Sequence, residues 1–483
     1  MDRMTPLDAA FVQAEDEQPG VSLAICSVAV FEGPAPSTVE FAELLQGRLP
    51  LIPRYRQKVR QVPFDLGPPV WVDDEHFDLG YHLRRTALPA PGRDAELSAL
   101  IGRVMASRLD RGRPLWEYWL VERLHGGHWA LISKVHHCMV DGVSGTDLYS
   151  VVLDPTPAPR PPEPDDWWPE PEPTSLALSA RALGGLVATP VKQVRATAGA
   201  LRRPGVLAGR TREAARGLAA LSGALVPARR SSLTGPLSAA RRFAVARGSA
   251  ADVSAVRRRY GGTFNDVVLT AVAGGFRRVL LEAGEEPTRH TVRALVPVST
   301  RLAGQESIRD NRVSLMLADL PVDVADPVER LEVTREHLEH LKAAHEAEAG
   351  ASVTGLAALG PFPVVATQVR LAAHLPQRSV VTTATDVPGP RVPLYALGRR
   401  LLEIIPYVPI ASTVRTGVAI LSYCDRLAIG VTGDYESAPD VEILARGIED
   451  DLSALSATAR PRRPPPRRRV PRTPAPRRAA GRA

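Results

Sequence analysis

Cysteine is scarce in this chain. Three of its 483 residues are cysteine, and Cys26, Cys138 and Cys424 lie far apart in the sequence. Proteins that depend on disulfides carry cysteines at a much higher density. The spacing therefore argues against a disulfide framework and predicts a protein of the reducing cytoplasm.

Long hydrophobic runs are also lacking. No stretch approaches the roughly 18 to 20 uninterrupted apolar residues that a membrane-spanning helix needs. The N-terminal sequence MDRMTPLDAAFVQAED has no basic segment followed by an apolar run, so we expect no secretory signal. The sequence predicts a cytoplasmic protein without a hydrophobic helix that anchors it in a membrane.

Acidic residues are missing from the C-terminal segment. From Arg460 onward the chain contains ten arginines and no acid, whereas the whole chain has a formal net charge of +7. Removing those ten charges from +7 leaves −3, so the high isoelectric point does not indicate a basic folded surface. We predict that residues 459–483 form a disordered Arg/Pro-rich tail.

The length and patterning indicate two folded units. Hydrophobic residues make up 44% of the chain, which suffices for globular cores, and 483 residues exceed the usual length of one domain. Strand-like and helix-like segments alternate in residues 1–154 and again in residues 236–458. We therefore predict an α/β fold with mixed sheets, in which residues 155–235 connect the two units.

Several elements of the first unit are predicted by periodicity and capping signals. Ser37 and Thr38, with Glu40 close behind, are typical of a helix start. The predicted strands are residues 22–33 and 128–135, and the predicted helices are residues 37–49, 96–110 and 143–154.

The second unit shows the same alternation of strands and helices. A helix is predicted over residues 264–284, where it ends at Gly284, and a charged amphipathic helix over residues 327–349. The predicted strands are residues 292–300, 312–322, 379–389 and 427–435.

The connecting segment has two parts. Its beginning, PTPAPRPPEPDDWWPEPEP at residues 155–173, excludes the interior of helices and sheets because proline lacks the backbone donor, so we expect a linker or an extended strap. Residues 175–225 are rich in Ala, Leu and Arg and predict helical pieces that are broken at Pro190 and Pro204. Two interpretations stay open: solvated basic helices that cover a core edge, or contact with an anionic lipid surface.

Two adjacent histidines stand in KVHHCMVDGVSG, residues 134–145. A catalytic zinc ion typically needs three ligands around one point, but neighbouring residues of a strand point to opposite faces, so a metal site is disfavoured. A nucleophilic serine is disfavoured because Thr146 stands where the G-x-S-x-G elbow needs glycine. Cys138 is more typical of a small buried side chain than of a thiolate.

A general base fits these residues better. A neutral imidazole accepts a proton from a hydroxyl group near neutral pH. One histidine would face a cleft while the other faces the protein body, Asp141 would orient the loop by pairing with an arginine, and Gly142 would let a substrate approach the backbone. Two purely structural histidines at the end of a strand are the alternative.

The sequence HHCMVDG, residues 136–142, matches the HHxxxDG motif of the acyltransferase superfamily that includes chloramphenicol acetyltransferase and peptide-synthetase condensation domains. More specifically, the chain resembles the bacterial wax ester synthase/diacylglycerol acyltransferase family over most of its length. The blocks that carry the resemblance occur in the family's order: MTPLDAAFVQAE (4–15), FDLGYHLRR (77–85), RPLWEYWLVERL (113–124), FNDVVLTAVAGG (264–275), VPVSTR (296–301), NRVSLMLADLP (311–321) and VPGP (387–390).

The resemblance implies two chloramphenicol-acetyltransferase-like domains with an active-site channel between them. It implies that His137 is the general base, which deprotonates the hydroxyl of a diacylglycerol or long-chain alcohol so that the oxygen attacks an acyl-CoA thioester. His136 and Asp141 would be mainly structural, and Gly142 would keep the channel open. No cofactor is implied beyond acyl-CoA as a substrate.

Other residues in the matching blocks are candidates for substrate binding or structural support. Asn265 is expected to shape the region where the oxyanion develops, with Asp266 beside it, although an Asn before an apolar helix is also a common N-cap. The PLW block, Pro114, Leu115 and Trp116, would line the acyl pocket or simply pack the domain, and plain packing is favoured.

The resemblance also implies the partners. They are acyl-CoA and a greasy acceptor, with peripheral contact to the inner membrane or lipid droplets and no specific nucleic acid. Two other functions stay open: a catalytically impaired lipid-binding or scaffold member of the family, and a condensation-type enzyme that uses a carrier-protein thioester. Asp386 keeps the first of these open, because many family members have asparagine before VPGP and a carboxylate donates no hydrogen bond unless protonated.

Overall fold

The structure is a computed structural model, which describes residues 2–139, 151–184, 231–299, 313–347 and 380–459. Several predictions concern residues outside these ranges. They are the roles of Asp141 and Gly142, most of the helix at 143–154, the basic segment beyond residue 184, and the C-terminal tail.

The strands in chain order are β1 (Asp2–Arg3), β2 (Ala24–Phe31), β3 (Gln57–Arg60), β4 (Val70–Asp73), β5 (Leu83–Ala87), β6 (Trp116–Leu124), β7 (His128–His136), β8 (Arg241–Ser249), β9 (Arg293–Ser299), β10 (Val313–Asp319), β11 (Thr382–Pro388), β12 (Tyr395–Ala396), β13 (Arg399–Tyr407), β14 (Thr416–Tyr423) and β15 (Arg426–Asp434). The helices are α1 (Pro6–Glu17), α2 (Thr38–Gln46), α3 (Leu79–His82), α4 (Asp94–Ala106), α5 (residues 175–184), α6 (Ala250–Tyr260), α7 (Phe264–Glu282), α8 (Pro327–Ala347) and α9 (Val441–Ala459).

The first large sheet has the strand order β12-β13-β2-β7-β6-β5. All neighbours are antiparallel except β5 and β6, which run parallel. Two of its strands, β12 and β13, come from the second half of the chain, so the two halves share this sheet. The strand β7, which leads into the paired histidines, lies between β2 and β6.

The second large sheet has the order β10-β9-β11-β14-β15-β8. The strand β11 runs parallel to both of its neighbours, β9 and β14, and the other pairs are antiparallel. The predicted α/β architecture with mixed sheets is therefore confirmed. The proposed domain boundaries stay predictions.

Helices pack on each sheet and complete two hydrophobic cores. In the second core α7 and α9 approach so closely that a Cβ atom on Gly447 would lie 2.8 Å from the Cα atom of Gly275. Only glycine allows this backbone contact. Within the described ranges, no helix combines the length and the apolar character that crossing a bilayer requires.

The first predicted helix begins at the capping signal that the sequence shows. The hydroxyl of Ser37 accepts a hydrogen bond from the Glu40 backbone N–H, and the Glu40 carboxylate accepts one from the Ser37 N–H, which forms a complete capping box. At α1 the Thr5 hydroxyl accepts from the Asp8 N–H, and proline occupies the first turn. The predicted helix at 96–110 ends earlier, at Ala106.

Residues 155–174 form the extended strap that their proline content predicts. The strap lies against the first unit, where the Arg48 guanidinium donates to the carbonyl oxygens of Arg160 and Pro161 and binds the Asp154 carboxylate. Further along, Asp165 of the strap pairs with Arg56. These buried polar contacts fix an otherwise irregular segment.

Beyond the strap, α5 covers the small sheet β1-β4-β3. Leu178 and Ala182 face a small core with Val62, Val70 and Val72. Helical spacing puts Leu178 and Ala182 on one side of α5, so its other side is turned away from this core.

Candidate active site

The paired histidines lie where β7 ends. His136 is the last residue of β7, and His137 begins a short 3₁₀ turn, His137–Met139. The His136 N–H donates to the carbonyl of Leu115 at 2.9 Å, and the His137 N–H donates to the carbonyl of Leu23 at 3.1 Å. The motif is therefore held on both sides by backbone hydrogen bonds. Because the strand stops at His136, strict alternation of faces does not extend to His137.

His136 is a buried residue with 1% of its surface exposed. Its Nδ1 atom accepts a hydrogen bond from the Cys138 backbone N–H at 3.2 Å and lies 3.0 Å from the Cys138 Sγ atom. Burial lowers the pKa of His136, against the opposing influence of the Glu15 carboxylate, so the ring is neutral at pH 7. Since Nδ1 accepts, the proton of the neutral ring is on Nε2.

The Nε2 atom of His136 faces a carboxylate that sequence reasoning missed. Glu15 lies on α1, is 1% exposed, and has its Oε2 atom 3.4 Å from Nε2. Its Oε1 atom accepts from the Leu23 N–H at 2.9 Å, and Arg111 binds Oε2. Burial raises the pKa of Glu15, but the contacts with His136, Arg111 and the Leu23 N–H outweigh it and bring the pKa to about 2.

His137 has a different environment. It is only partly buried, and its ring stacks on Phe11 of α1, with ring centroids 4.0 Å apart and an interplanar angle of 30°. Phe11 and Glu15 are four residues apart and share one face of α1, which is a spacing that the sequence shows. The sequence does not show that this face lies on the histidines. Asp141 and Gly142 are outside the described residues.

The PLW block supports the motif from the neighbouring strand. Pro114, Leu115 and Trp116 are all buried, and Leu115 supplies the carbonyl that binds the His136 N–H. The Trp116 indole N–H donates to the Tyr55 carbonyl at 2.8 Å, and its ring stacks with the rings of Tyr55 and His82. These contacts show that the three residues of the PLW block pack in the protein interior. A role in lining an acyl pocket stays a prediction.

The ND pair lies at the start of α7. Thr263 is the N-cap, and its hydroxyl accepts from the Asp266 N–H while the Asp266 carboxylate accepts from the Thr263 N–H at 2.7 Å. The N-cap alternative for Asn265 is therefore wrong, because Asn265 is inside the first turn. Asp266 is buried and also lies 3.9 Å from the Lys342 ammonium. These contacts belong to the second unit, and they do not join the pair to the histidines.

Asp386 lies near the end of β11, opposite Ile420 of β14. Its side chain is half-buried, and no group in the described part of the chain donates a hydrogen bond to it or pairs with its charge. Burial raises the pKa of Asp386 to about 6. A protonated Asp386 would be a hydrogen-bond donor, as an amide is, but the ionised form that predominates above that pH is not.

The two histidines of the motif differ in their surroundings. No group of three His, Cys, Asp or Glu side chains within the described ranges is arranged to hold a metal ion. A neutral, buried His136 keeps its place through Glu15 and the Cys138 N–H. The adjacent His137 has the more exposed imidazole of the two.

Two family models and a named relative match this chain over most of its length. Residues 4–268 match the family model described as the wax ester synthase/diacylglycerol acyltransferase catalytic domain, and residues 310–456 match that of the WS/DGAT C-terminal domain. The chain is 44% identical over 464 residues to a protein of Mycobacterium tuberculosis named a "probable" diacylglycerol O-acyltransferase, covering 96% of this chain and 97% of that one.

Solved structures show the same similarity at the level of the fold. The wax ester synthase/diacylglycerol acyltransferase from Marinobacter aquaeolei VT8 superposes with a TM-score of 0.66 at 26% identity, covering 95% of this chain and 99% of that one. The first condensation domain of the calcium-dependent antibiotic synthetase superposes with a TM-score of 0.58 at 15% identity, covering 95% and 96%. The second similarity concerns the fold alone.

The environment of Asp386 predicts a pH-dependent gain in stability for Asp386→Asn. The folded-state pKa of about 6 is above the ordinary value, so the carboxyl stabilises the fold at low pH and this contribution is lost as the pH rises through 6. Asparagine does not ionise, so the variant should be more stable by about 1–3 kcal/mol at pH 8. The difference should shrink as the pH falls to about 4.

Urea unfolding at a series of pH values measures this effect. The exposed Asp323 provides the matched control, because Asp323→Asn removes the same charge where burial imposes no cost. A gain for Asp386→Asn that does not depend on pH would contradict the assignment.

Proposed function

This chain belongs to the wax ester synthase/diacylglycerol acyltransferase family and is an acyl-CoA-dependent O-acyltransferase, and we propose that His137 is the general base of its reaction. The acyl group passes from acyl-CoA to the hydroxyl of a diacylglycerol or a long-chain alcohol. The products are CoA and a triacylglycerol or a wax ester.

The proposed chemistry needs one imidazole that takes up a proton and returns it. The neutral ring of His137 accepts the hydroxyl proton as the acceptor oxygen attacks the thioester carbonyl carbon. The tetrahedral intermediate then collapses, the carbon–sulfur bond breaks, and the leaving thiolate takes the proton from the imidazolium. The base is regenerated, and no acyl-enzyme intermediate is required.

The observation that carries this proposal is the difference between the two neighbouring histidines. His136 is 1% exposed, and its ring nitrogens face Glu15 and Cys138, so a substrate cannot reach them. His137 is partly exposed and has its backbone fixed by Leu23. A base must reach the substrate while its position stays fixed, and of this pair only His137 meets both conditions.

The other candidate residues have supporting roles in this proposal. Asp141 orients the loop after the motif, and Gly142 keeps the approach to His137 open. Asn265 shapes the region where the oxyanion develops, while Asp266 maintains the start of α7 through its capping box.

Replacing His137 by alanine should reduce turnover by about 10²-fold or more, because the hydroxyl loses its proton acceptor. The assay supplies palmitoyl-CoA with hexadecanol or a diacylglycerol and follows the release of free thiol. His125 is the matched control, since it is an exposed histidine at the other end of β7, and His125→Ala should keep wild-type turnover.

Two results would contradict the proposal. Full activity of His137→Ala would show that His137 is not the general base. Wild-type turnover no higher than that of the variant would favour the lipid-binding scaffold instead.

We further propose that the enzyme works at a lipid surface, because its acceptor dissolves in lipid and not in water. Exposed apolar residues of α5 and of the β3–β4 connection, which packs on α5 through Val62 and Leu66, support this proposal. Phe64 is 91% exposed, Leu176 is 81% exposed, and Leu183 is 51% exposed. We call these three residues the apolar patch.

The apolar patch is built into the structure around α5. Leu176 and Leu183 are seven residues apart and share the side of α5 that faces away from the small core. Phe64 lies in the β3–β4 connection with a φ of 58°, a conformation that costs an aromatic residue about 1–2 kcal/mol and yet leaves its ring in solvent. The sequence adds charge of the right sign, since residues 185–230 contain nine basic residues and one acid.

A triple variant, Phe64→Ser with Leu176→Ser and Leu183→Ser, should bind vesicles at least about 10-fold more weakly, because it loses the apolar area that enters the lipid. The measurement is co-sedimentation with phosphatidylcholine vesicles with and without phosphatidylglycerol. Leu281→Ser with Val392→Ser is the control, because these exposed apolar residues lie elsewhere.

Unchanged vesicle binding by the triple variant would dismiss the apolar patch. A separate deletion of residues 460–483 tests the tail. Equal binding of the full and shortened chains would dismiss a contribution of its ten arginines.

A further inference from the structure

The helix α1 touches both histidines of the motif from one face. Phe11 stacks on the ring of His137, and Glu15, one turn later, faces Nε2 of His136. The four-residue spacing brings both side chains onto the same side of the helix. The position of α1 is therefore linked directly to the positions of both imidazoles.

Glu15 contacts the motif along two separate paths. One path is direct, because Oε2 lies 3.4 Å from Nε2 of His136. The other passes through the backbone of Leu23, whose N–H donates to Oε1 at 2.9 Å and whose carbonyl accepts from the His137 N–H at 3.1 Å. One carboxylate thus fixes the first imidazole and the backbone of the second.

Two arginines keep Glu15 and its helix in place. Arg111 binds Oε2, the oxygen that also lies near His136, and Arg108 binds the backbone carbonyls of Glu15, Gln18 and Val21. These contacts fix the end of α1 where the chain turns toward β2. The carboxylate is buried, so it has little freedom to move to other partners.

We propose that Glu15 is a positioning residue for acyl transfer, which holds His137 in its reactive place through His136 and Leu23. This inference rests on the proposed role of His137 as the general base. Glu15 does not touch the reacting atoms.

The contacts of Glu15 require a carboxylate. Its two oxygens accept hydrogen bonds from the Leu23 N–H and the Arg111 guanidinium, and Oε2 also lies 3.4 Å from Nε2 of His136. A glutamine has the same shape but only one accepting oxygen. Its NH₂ group would place two N–H donors against groups that also donate, so no hydrogen bond forms there. In either orientation of the glutamine amide, at least one contact to the motif is lost.

The first experiment compares kinetic constants of Glu15→Gln and the wild type with palmitoyl-CoA and hexadecanol. We expect kcat to fall about 10- to 100-fold, because a displaced base reacts slowly, and KM for both substrates to change less than about threefold. Glu43→Gln is the control, since it makes the same exchange at an exposed glutamate of α2, and it should keep wild-type kcat.

The second experiment is a double-mutant cycle with His136→Gln. If Glu15 acts partly through His136, the double variant should lose less activity than the product of the two single losses, and the Leu23 path accounts for what Glu15→Gln still adds. A general loss of fold integrity would instead multiply the two losses. Circular dichroism and thermal melting confirm that each variant is folded, and Glu15→Asp, which keeps the charge but is one methylene shorter, replaces Glu15→Gln in the cycle if that variant does not fold.

Three results would overturn the inference. They are an unchanged kcat for Glu15→Gln, a loss expressed only in KM, or multiplicative losses in the cycle. The proposed function fails separately, since full activity of His137→Ala would refute the base whatever Glu15 does.

Discussion

The site depends on one buried contact, in which the carboxylate of Glu15 meets the imidazole of His136. A charge in the protein interior is costly unless hydrogen bonds and an opposite charge stabilise it, and here the Leu23 N–H and Arg111 supply both. The contact fixes the ring of His136, which takes no chemical step in the proposed reaction. As a consequence, the backbone position at which His137 begins its 3₁₀ turn is fixed.

Other contacts connect the same strand and the segment after α1 to the rest of the fold. The strand β7 carries Lys134 two residues before His136, and the buried Lys134 ammonium donates to the carbonyls of Val104 and Ser107 at the end of α4. The segment after α1 reaches the second half of the chain, where the Ser412 N–H donates to Gln18 and Arg241 donates to the carbonyl of Gly20. The motif therefore lies close to contacts between the two halves.

Features that depend on nearby residues could be predicted from the sequence, whereas long-range pairings could not. The capping box at Ser37 and the strand that leads into His136 follow from local patterns, and both are confirmed. Glu15 precedes His136 by 121 residues, and no local pattern predicts that contact. The pairing of β13 with β2 was missed for the same reason. At α7 the cap was misplaced because Thr263, two residues before Asn265, forms the box with Asp266.

The pH dependence of kcat/KM, measured for the wild type and for His137→Ala, tests the central claim most directly. We predict that wild-type activity rises with pH through an inflection in the range where imidazoles titrate, because only the neutral ring accepts the hydroxyl proton. This inflection should be absent from the residual activity of the variant. Since burial raises the pKa of Asp386 to about 6, an inflection that persists in His137→Ala would assign the titration to another group and contradict the account.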